Sequence, residues 1–323
     1  MKITATKLFK SLTMAGLLLA GSSSTAMASN VEKVHFLIPG GAGGGWDGTA
    51  RGVGEALKKS GLVKETSFEN MSGGGGGKAI AYLIETAKKQ KNTLMVNSTP
   101  IVIRSLQGVF PQSFRDLTLV SAVVADYGVL VVKKDSKYNS WQDVKAAFDK
   151  SPRKVKIAGG SSRGSMDHLV AAQIFKAAGG NPTSIRYVPY DAGGKALAGL
   201  LTGEVDVLST GLGEVLEKHL KGEVKIIGVT ADKDIQGIPS FKGMGVDAYF
   251  ANWRGFFGAP NLSDDKALAF AKVIADMYKT DEWETVRKRN GWANLYKPTS
   301  SFERFLVDQE KVISSLMKEM GFL

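Results

Sequence analysis

The chain of 323 residues has a formal net charge of +11, a hydrophobic content of 43% and no cysteine. The absence of cysteine excludes a scaffold built on disulfides, so a hydrophobic core must stabilise the fold, and the length is ample for one. Lysine and arginine are interspersed with acids and are not interleaved with aromatic residues, which argues against nucleic acid as a partner.

The first segment predicts a secretory signal peptide over residues 1–28. Three lysines precede the apolar run from Leu12 to Ala20, and the segment ends in the cleavage pattern Ala26-Met27-Ala28. A membrane anchor would need about 20 apolar residues, roughly twice that run. We expect cleavage near Ala28 and Ser29, which leaves a soluble chain of net charge +8 in the periplasm of a Gram-negative cell.

From residue 34 onward, short β-branched runs alternate with longer helical segments, the pattern of parallel α/β folds. The predicted strands are 34–38, 66–69, 94–96, 117–124, 129–132, 155–158, 185–188, 205–208, 225–229 and 253–260. Helices are predicted at 78–89, 141–150, 165–178, 264–279, 281–290 and 300–320, with shorter ones after the other strands.

The regular alternation changes at residues 125–128, where we predict a crossing between two domains. Domain 1 comprises residues 29–125 and 229–323, and domain 2 comprises residues 126–228. Each is expected to be a mostly parallel sheet flanked by helices, and the two together form a clamshell. Such sheets bind ligands at the carboxyl ends of their strands.

Two glycine-rich loops follow the first two predicted strands. Residues 39–47 read Pro-Gly-Gly-Ala-Gly-Gly-Gly-Trp-Asp, and residues 70–77 read Asn-Met-Ser followed by five glycines. Loops almost without side chains contact a ligand through backbone N–H groups, assisted by the positive end of the following helix. An anion is the ligand that such loops favour, and two of them at consecutive strand ends predict one site.

Two nucleotide-binding patterns resemble these loops only in part. The spacing Gly43-x-Gly45-x-x-Gly48 fits the dinucleotide fingerprint, but an exported protein rarely meets nicotinamide cofactors. The run before Lys78 fails the phosphate-loop pattern, because Ser72 replaces its first glycine and Ala79 replaces the magnesium-binding hydroxyl. No cofactor is predicted, and three scattered histidines without cysteine predict no metal site.

The loop of residues 160–164, Gly-Ser-Ser-Arg-Gly, also fits the nucleophile elbow of α/β-hydrolases, with Ser162 as nucleophile. A triad needs a histidine in reach, yet His168 lies one turn into the adjacent helix and His219 lies on a charged helix. A secreted hydrolase therefore stays an alternative to a binding protein without catalysis.

Several polar residues near the strand ends have both structural and ligand-binding interpretations. Asp47 and Asp191 are candidates for helix N-caps, a role that we favour for Asp191. Arg163 is either a surface cation or a bidentate partner for a carboxylate. Trp46 either lines the cleft or packs beneath the first loop.

Taken together, these segments resemble the periplasmic solute-binding proteins of tripartite tricarboxylate transporters, the TctC/Bug family. The resemblance rests on the two glycine loops, on Tyr-Asp-Ala-Gly-Gly at 190–194, on Gly-Glu-Val-Asp at 203–206 and on Trp-Arg-Gly-Phe-Phe-Gly at 253–258. It implies a two-domain periplasmic-binding-protein fold that closes over a carboxylate and delivers it to permease subunits in the membrane. In that family the first two loops hold a carboxylate through backbone groups and bridging waters.

The Gly-Trp-Asp end of the first loop resembles the citrate-type branch, so the expected ligand is citrate or a related di- or tricarboxylate. Another carboxylate, such as an amino acid or an aromatic acid, is the alternative within the same fold. The predicted ligand-binding residues are Gly41, Ala42, Gly43, Gly44, Gly45, Trp46, Asp47, Gly73, Gly74, Gly75, Ser98, Ser161, Ser162, Arg163, Asp191, Ala192, Gly193 and Thr210.

Overall fold

The structure, a computed structural model, describes residues 31–323, so the predicted signal peptide lies outside the described residues. The strands are β1 (Lys33–Ile38), β2 (Glu65–Asn70), β3 (Thr93–Ser98), β4 (Thr118–Lys133), β5 (Lys156–Gly159), β6 (Arg186–Pro189), β7 (Val207–Gly211), β8 (Val224–Val229), β9 (Ala251–Gly258) and β10 (Ala293–Pro298). The α-helices are α1 (Gly45–Lys59), α2 (Gly77–Glu85), α3 (Thr99–Leu106), α4 (Trp141–Lys150), α5 (Met166–Ala177), α6 (Gly193–Leu201), α7 (Leu212–Leu220), α8 (Asp264–Met277), α9 (Asp281–Arg289) and α10 (Thr299–Glu319).

The strands follow the order β2-β1-β3-β9-β4-β7-β5-β6, with β8 and β10 also paired to β4. The pairs of β1 with β2 and β3, and of β5 with β6 and β7, are parallel, whereas β4 and β9 pair antiparallel with their neighbours. We call β1–β3, β9 and β10 with α1–α3 and α8–α10 the first lobe, and β5–β8 with α4–α7 the second lobe. The parallel strands of each lobe carry the loops that face the other lobe.

Strand β4 joins the two lobes. The sequence predicts two strands, 117–124 and 129–132, but the structure has one continuous strand over this region, so the division into two strands is wrong. The crossing between domains at residues 125–128 stays a prediction. Ala125, Asp126 and Tyr127 pair with β9, and Gly128 pairs directly with β7, so the hydrogen-bonded ladder continues from one lobe to the next. Gly128 fits there because an added Cβ would lie 2.6 Å from Val170 Cγ1.

Apolar faces of the helices cover these sheets. In the first lobe, Phe36 of β1, Val53 of α1 and Phe256 of β9 belong to one buried cluster. In the second lobe, Leu208 of β7 and Leu216 of α7 belong to another. The three C-terminal helices and the return of the chain as β9 are confirmed.

Strand β10 was not predicted, because its residues are half-buried or exposed and form no apolar run. No helix within residues 31–323 is both long and apolar enough to span a bilayer.

Candidate functional site

A cavity of about 190 Å³ lies between the lobes, where the loops after β1, β2, β5 and β6 meet. It is smaller than the roughly 300–1,000 Å³ of pockets that hold drug-sized molecules, so it suits a small metabolite. Of the predicted binding residues, those that line it are Gly41, Gly44, Gly45, Trp46, Gly73, Gly74, Gly75, Ser98, Ser161, Ser162, Asp191, Ala192 and Gly193. Those outside the lining are Ala42, Gly43, Asp47, Arg163 and Thr210.

The carboxylate of Asp47 stabilises the first glycine loop by a hydrogen bond from outside the cavity lining. This carboxylate accepts hydrogen bonds from Gly43 N at 3.0 Å and from Arg51 Nε at 2.9 Å. Asn70 Nδ2 donates both to Asp47 Oδ1 at 3.0 Å and to Gly40 O at 2.9 Å. Asp47 and Asn70 therefore fix the first loop to the start of the second.

The backbone amides of the first loop are available to a ligand. Helix α1 begins after Gly44, and no side chain caps its first turn. Among residues 31–323, the amides of Gly41 and Gly44 in this loop, and that of Gly73 in the second loop, have no hydrogen-bond acceptor. Because unpaired N–H groups at a helix N-terminus attract negative charge, this wall of the cavity suits a carboxylate.

The second glycine loop has a backbone that only glycine adopts readily. Four consecutive residues, Gly73 to Gly76, have positive φ angles of 142°, 59°, 64° and 101°. A side chain at Gly75 would also meet Arg104, whose Nε lies 2.8 Å from the position of an added Cβ. The long glycine run thus turns the chain sharply against α3 and leaves its backbone facing the cavity.

Trp46 and Ser98 join the first loop to β3. Trp46 lines the cavity, and its Nε1 donates to Ser98 Oγ at 2.9 Å. Gly40 packs against the indole ring, since its added Cβ would lie 3.0 Å from Trp46 Cε3. Both interpretations of Trp46 therefore hold, because it lines the cavity and supports the loop.

In the second lobe, Ser161 organises the loop after β5. Its hydroxyl accepts a hydrogen bond from Asp167 N at 3.0 Å, and its carbonyl accepts one from Tyr187 Oη at 2.7 Å. The guanidinium of Arg163 donates from Nη2 to Tyr187 O at 2.7 Å, outside the cavity lining. The ligand-binding role of Arg163 stays a prediction.

Asp191 reaches across the cleft instead of capping its helix. The N-cap residue of α6 is Ala192, and no side chain caps that helix, so the N-cap interpretation of Asp191 is wrong. Its carboxylate accepts a short hydrogen bond from Ser72 Oγ of the first lobe and lies 3.3 Å from Lys195 Nζ. This hydrogen bond connects the first lobe directly with the second lobe.

An ion pair lies at the cavity wall, and neither of its residues is among the predicted binding residues. Arg254, which is 2% exposed, donates from Nη2 to Asp126 Oδ2 at 2.6 Å and from Nη1 to Thr49 Oγ1 at 3.0 Å. An added Cβ at Gly45 would lie 2.2 Å from Arg254 Nη2, so the glycine permits this close approach. A single charge inside an apolar strand run was the signal that could have revealed Asp126 and Arg254.

Two further carboxyl groups, those of Asp167 and Glu214, line the same cavity. Burial, followed by the charge of Asp167, raises the pKa of Glu214 to about 8, although Arg254 opposes the shift. Burial also raises the pKa of Asp167 to about 6, against the hydrogen bonds from the Ser161 loop. Among residues 31–323, the cation that lines the cavity is Arg254, which is already paired with Asp126.

None of the three histidines lies in the cavity lining. His168 Nδ1 accepts from Gly164 N at 3.0 Å, its ring stacks on Tyr187 at 4.5 Å, and burial lowers its pKa to about 4. His219 lies beside Val224 O at 3.4 Å, and His35 contacts Ser67. Within residues 31–323 no group of His, Asp and Glu side chains is arranged to hold a metal ion.

Two α/β lobes that enclose a cavity at the ends of their parallel strands define the class of two-domain periplasmic solute-binding proteins. The family model described as "Tripartite tricarboxylate transporter family receptor" (TctC) matches residues 49–322, and the chain belongs to this family. Both the resemblance and the fold class expected from the sequence are confirmed.

Solved structures share the fold at low sequence identity. The chain is similar to the periplasmic binding protein BugD, with a TM-score of 0.80, 18% identity and coverage of 90% of this chain and 98% of BugD. For MatC from Rhodopseudomonas palustris with bound malate, the TM-score is 0.77, the identity 16% and the coverage 89% and 99%. For an R. palustris protein with adipate, the TM-score is 0.79, the identity is 20%, and the match covers 90% of this chain and 97% of that protein. No curated protein sequence matches the chain.

Proposed function

We propose that the protein is a periplasmic receptor that binds an organic carboxylate between its lobes and delivers it to the membrane permease of a tripartite tricarboxylate transporter. The observation that carries this proposal is the pair of glycine loops on one wall of the cavity, with the unpaired amides of Gly41, Gly44 and Gly73. Membership of the receptor family and the malate and adipate bound to structural neighbours support the ligand class.

Binding proceeds by closure of the lobes over the ligand. The glycine-loop amides hold one carboxylate, directly or through water. The second-lobe loops, with Ser161, Ser162 and Gly193, then meet the rest of the molecule, and the Ser72–Asp191 hydrogen bond forms between the lobes. Because the ligand contacts both lobes only in the closed form, it shifts the population toward that form, which the permease then recognises.

The protein acts as a receptor and does not turn over its ligand. The hydrolase alternative would need a base beside Ser162, but His168 is engaged with Gly164 N and is kept neutral by burial. Citrate, other di- and tricarboxylates, and amino acids share the carboxylate that the glycine loops recognise. The groups on the cavity floor decide among them.

A thermal-shift screen of the mature chain, from residue 29, tests the proposed function. Malate, adipate, citrate and common amino acids are compared with their uncharged amides, and a true ligand at 100 times its dissociation constant stabilises the native state by about 2.7 kcal/mol. We expect stabilisation by at least one carboxylate and by none of the amides. A screen without any responding carboxylate would contradict the proposal.

Two alanine variants locate the binding site. At Gly44 (φ −89°) an added Cβ lies 3.5 Å or more from other atoms, at the contact between the first loop and Ala192, so Gly44→Ala should fold and weaken ligand binding. Gly48→Ala is the matched control on α1, because an added Cβ there meets nothing within 4 Å and Gly48 lies outside the lining. Equal affinity of both variants would move the site away from the first loop.

A further inference from the structure

The carboxyl group of Glu214 lies between the starts of two helices, one from each lobe. An added Cβ at Gly45, the first residue of α1, would lie 3.1 Å from Glu214 Oε1, and one at Gly193, the first residue of α6, would collide with Glu214 Oε2. Glu214 belongs to the cavity lining, and its side chain is 13% exposed. A ligand held by the glycine-loop amides therefore comes within reach of this carboxyl group.

One guanidinium serves three carboxyl groups around this point. The charged groups that face Glu214 are Asp126 of β4, Asp167 of α5 and Arg254 of β9. Arg254 Nη2 lies 2.6 Å from Asp126 Oδ2 but 3.9 Å from Glu214 Oε1, so its hydrogen bond goes to Asp126. If all three carboxyl groups were ionised, three negative charges and one positive charge would leave a net charge of −2 beside an anionic ligand.

The other elements near Glu214 leave this balance unchanged. Helix α1 packs against α7, and its Asp47 is paired with Arg51 at 2.9 Å. At the start of α6, Asp191 is paired with Lys195 at 3.3 Å. Strand β7 reads Val-Leu-Ser-Thr-Gly and carries no charge, and Lys225 of β8 is exposed.

The protonation state of Glu214 decides whether it repels or attracts an anion. Burial, followed by the charge of Asp167, raises the pKa of Glu214 to about 8, so this group is mostly protonated at pH 7. Burial raises the pKa of Asp167 to about 6, so Asp167 is mostly ionised at the same pH. A protonated carboxyl group has one O–H donor, and its hydrogen bonds to carboxylates are short and strong. An ionised Glu214 would instead repel the ligand.

On these grounds, and resting on the proposed carboxylate-binding function, we propose that Glu214 binds the ligand in its protonated form and donates its O–H to the ligand's carboxylate beside the glycine-loop amides. The proton stays on Glu214 in the complex. A receptor molecule in which Glu214 is ionised takes up one proton from solvent when it binds the ligand. The affinity of the receptor therefore decreases as the pH rises.

The pH dependence of the affinity tests this proposal on the wild-type protein. Malate and adipate are titrated by isothermal calorimetry between pH 7 and pH 9, where their own carboxyl groups stay ionised because ordinary carboxyl pKa values lie near about 4. The protonated fraction of Glu214 falls from about nine tenths to about one tenth over this range. Because the apparent affinity scales with the fraction that is competent to bind, we expect binding about tenfold weaker at pH 9 than at pH 7.

The uptake of protons is measured by the same method. Titrations at pH 8 in HEPES and in Tris, which have different heats of ionisation, give the number of protons taken up per ligand from the difference in the observed heats. Glu214 is about half protonated at that pH, so we expect an uptake of about half a proton per ligand.

Two variants of helix α7 assign the pH dependence to Glu214. Glu214→Gln keeps the shape of the side chain, is neutral at every pH and still has an N–H donor, so its affinity should change less than about twofold between pH 7 and pH 9. Glu217→Gln on the same helix is the control, because Glu217 is exposed and paired with Lys221 at 2.5 Å, and it should retain the tenfold change.

Asp167→Asn gives a second check, which holds even if Glu214→Gln does not fold. The charge of Asp167 contributes to the raised pKa of Glu214. Its removal should therefore move the midpoint of the affinity profile to lower pH. A midpoint that stays in place would contradict the role of Glu214.

The outcomes separate this inference from the proposed function. Equal affinity at pH 7 and pH 9 without proton uptake would overturn the proton-linked binding and leave the carboxylate receptor intact. A tenfold change that persists in Glu214→Gln would overturn the assignment to this residue. If neither malate and adipate nor any other carboxylate of the thermal-shift screen binds at any pH, the receptor function itself is overturned.

Discussion

Replacing Asp126 by Asn tests the role of the buried ion pair at the junction of the lobes. Asp126 lies on β4 and is 0% exposed, and its Oδ2 accepts from Arg254 Nη2 of β9 at 2.6 Å. Its Oδ1 accepts from Gly213 N at the start of α7 at 3.1 Å. The carboxylate therefore connects β9 of the first lobe with a helix of the second.

The magnitude follows from the burial of both charges. Asn keeps an oxygen for Gly213 N, but its amide N–H groups face those of Arg254. The guanidinium then loses its close carboxylate and keeps only Thr49 Oγ1 at 3.0 Å and Glu214 Oε1 at 3.9 Å. Removal of one partner of a buried pair costs about 3–5 kcal/mol, because the remaining charge stays desolvated. For a chain of this length, that loss corresponds to a decrease in Tm of roughly 6–20 °C.

Urea unfolding of the mature protein, followed by circular dichroism, measures this loss. The control is Glu310→Gln, which breaks the exposed ion pair with Arg115 (2.7 Å) and should cost less than about 1 kcal/mol. A double replacement of Asp126 and Arg254 by Leu should be milder than Asp126→Asn, since it leaves no buried charge. A loss below about 1 kcal/mol for Asp126→Asn would refute the reasoning, because the pair would then be dispensable.

Three further predictions concern Asn70 of the second glycine loop, the Ser72–Asp191 hydrogen bond between the lobes, and Glu214 of the cavity lining. Asn70→Ala removes the hydrogen bonds to Gly40 O and Asp47. Because the first loop then loses order, ligand binding should weaken about tenfold when it is measured by calorimetry, and an unchanged affinity would contradict this prediction. Ser72→Ala removes the hydrogen bond to Asp191 and should disfavour the closed form by about 1 kcal/mol, visible as a larger radius of gyration in X-ray scattering; an unchanged radius would count against the contact. Because the folded-state pKa of Glu214 is raised from 4.5 to about 8, the unfolded state loses this proton first, and the free energy of unfolding should fall as pH rises through that window. The decrease is up to about 1.4 kcal/mol per pH unit in urea unfolding, and Glu214→Gln should abolish this contribution; an unchanged slope in the variant would refute the shift.

Features that depend on local chain chemistry could be predicted from the amino-acid sequence. The alternation of apolar strand runs with helical segments predicted the α/β class, and the glycine loops after β1 and β2 were located because glycine density is visible without knowledge of the fold. The return of the chain as β9 and the three C-terminal helices followed from the same local periodicity. Most of the predicted loop residues line the cavity for this reason.

Contacts between residues far apart in the chain could not be predicted in this way. Asp126 and Arg254 are 128 positions apart, and Ser72 and Asp191 are 119 apart, so no local pattern links them. Asp191 is a residue type that often caps helices, but in the structure its carboxylate binds Ser72 across the cleft instead. Likewise, no sequence pattern distinguishes Glu214 from other acids in the first turn of a helix, yet folding places it beside Gly45 and Gly193 in the cavity lining. The sequence thus identified the loops that can hold a carboxylate, and the packing of the two lobes determined the charges that surround the rest of the ligand, because burial and proximity arise only when the chain is folded.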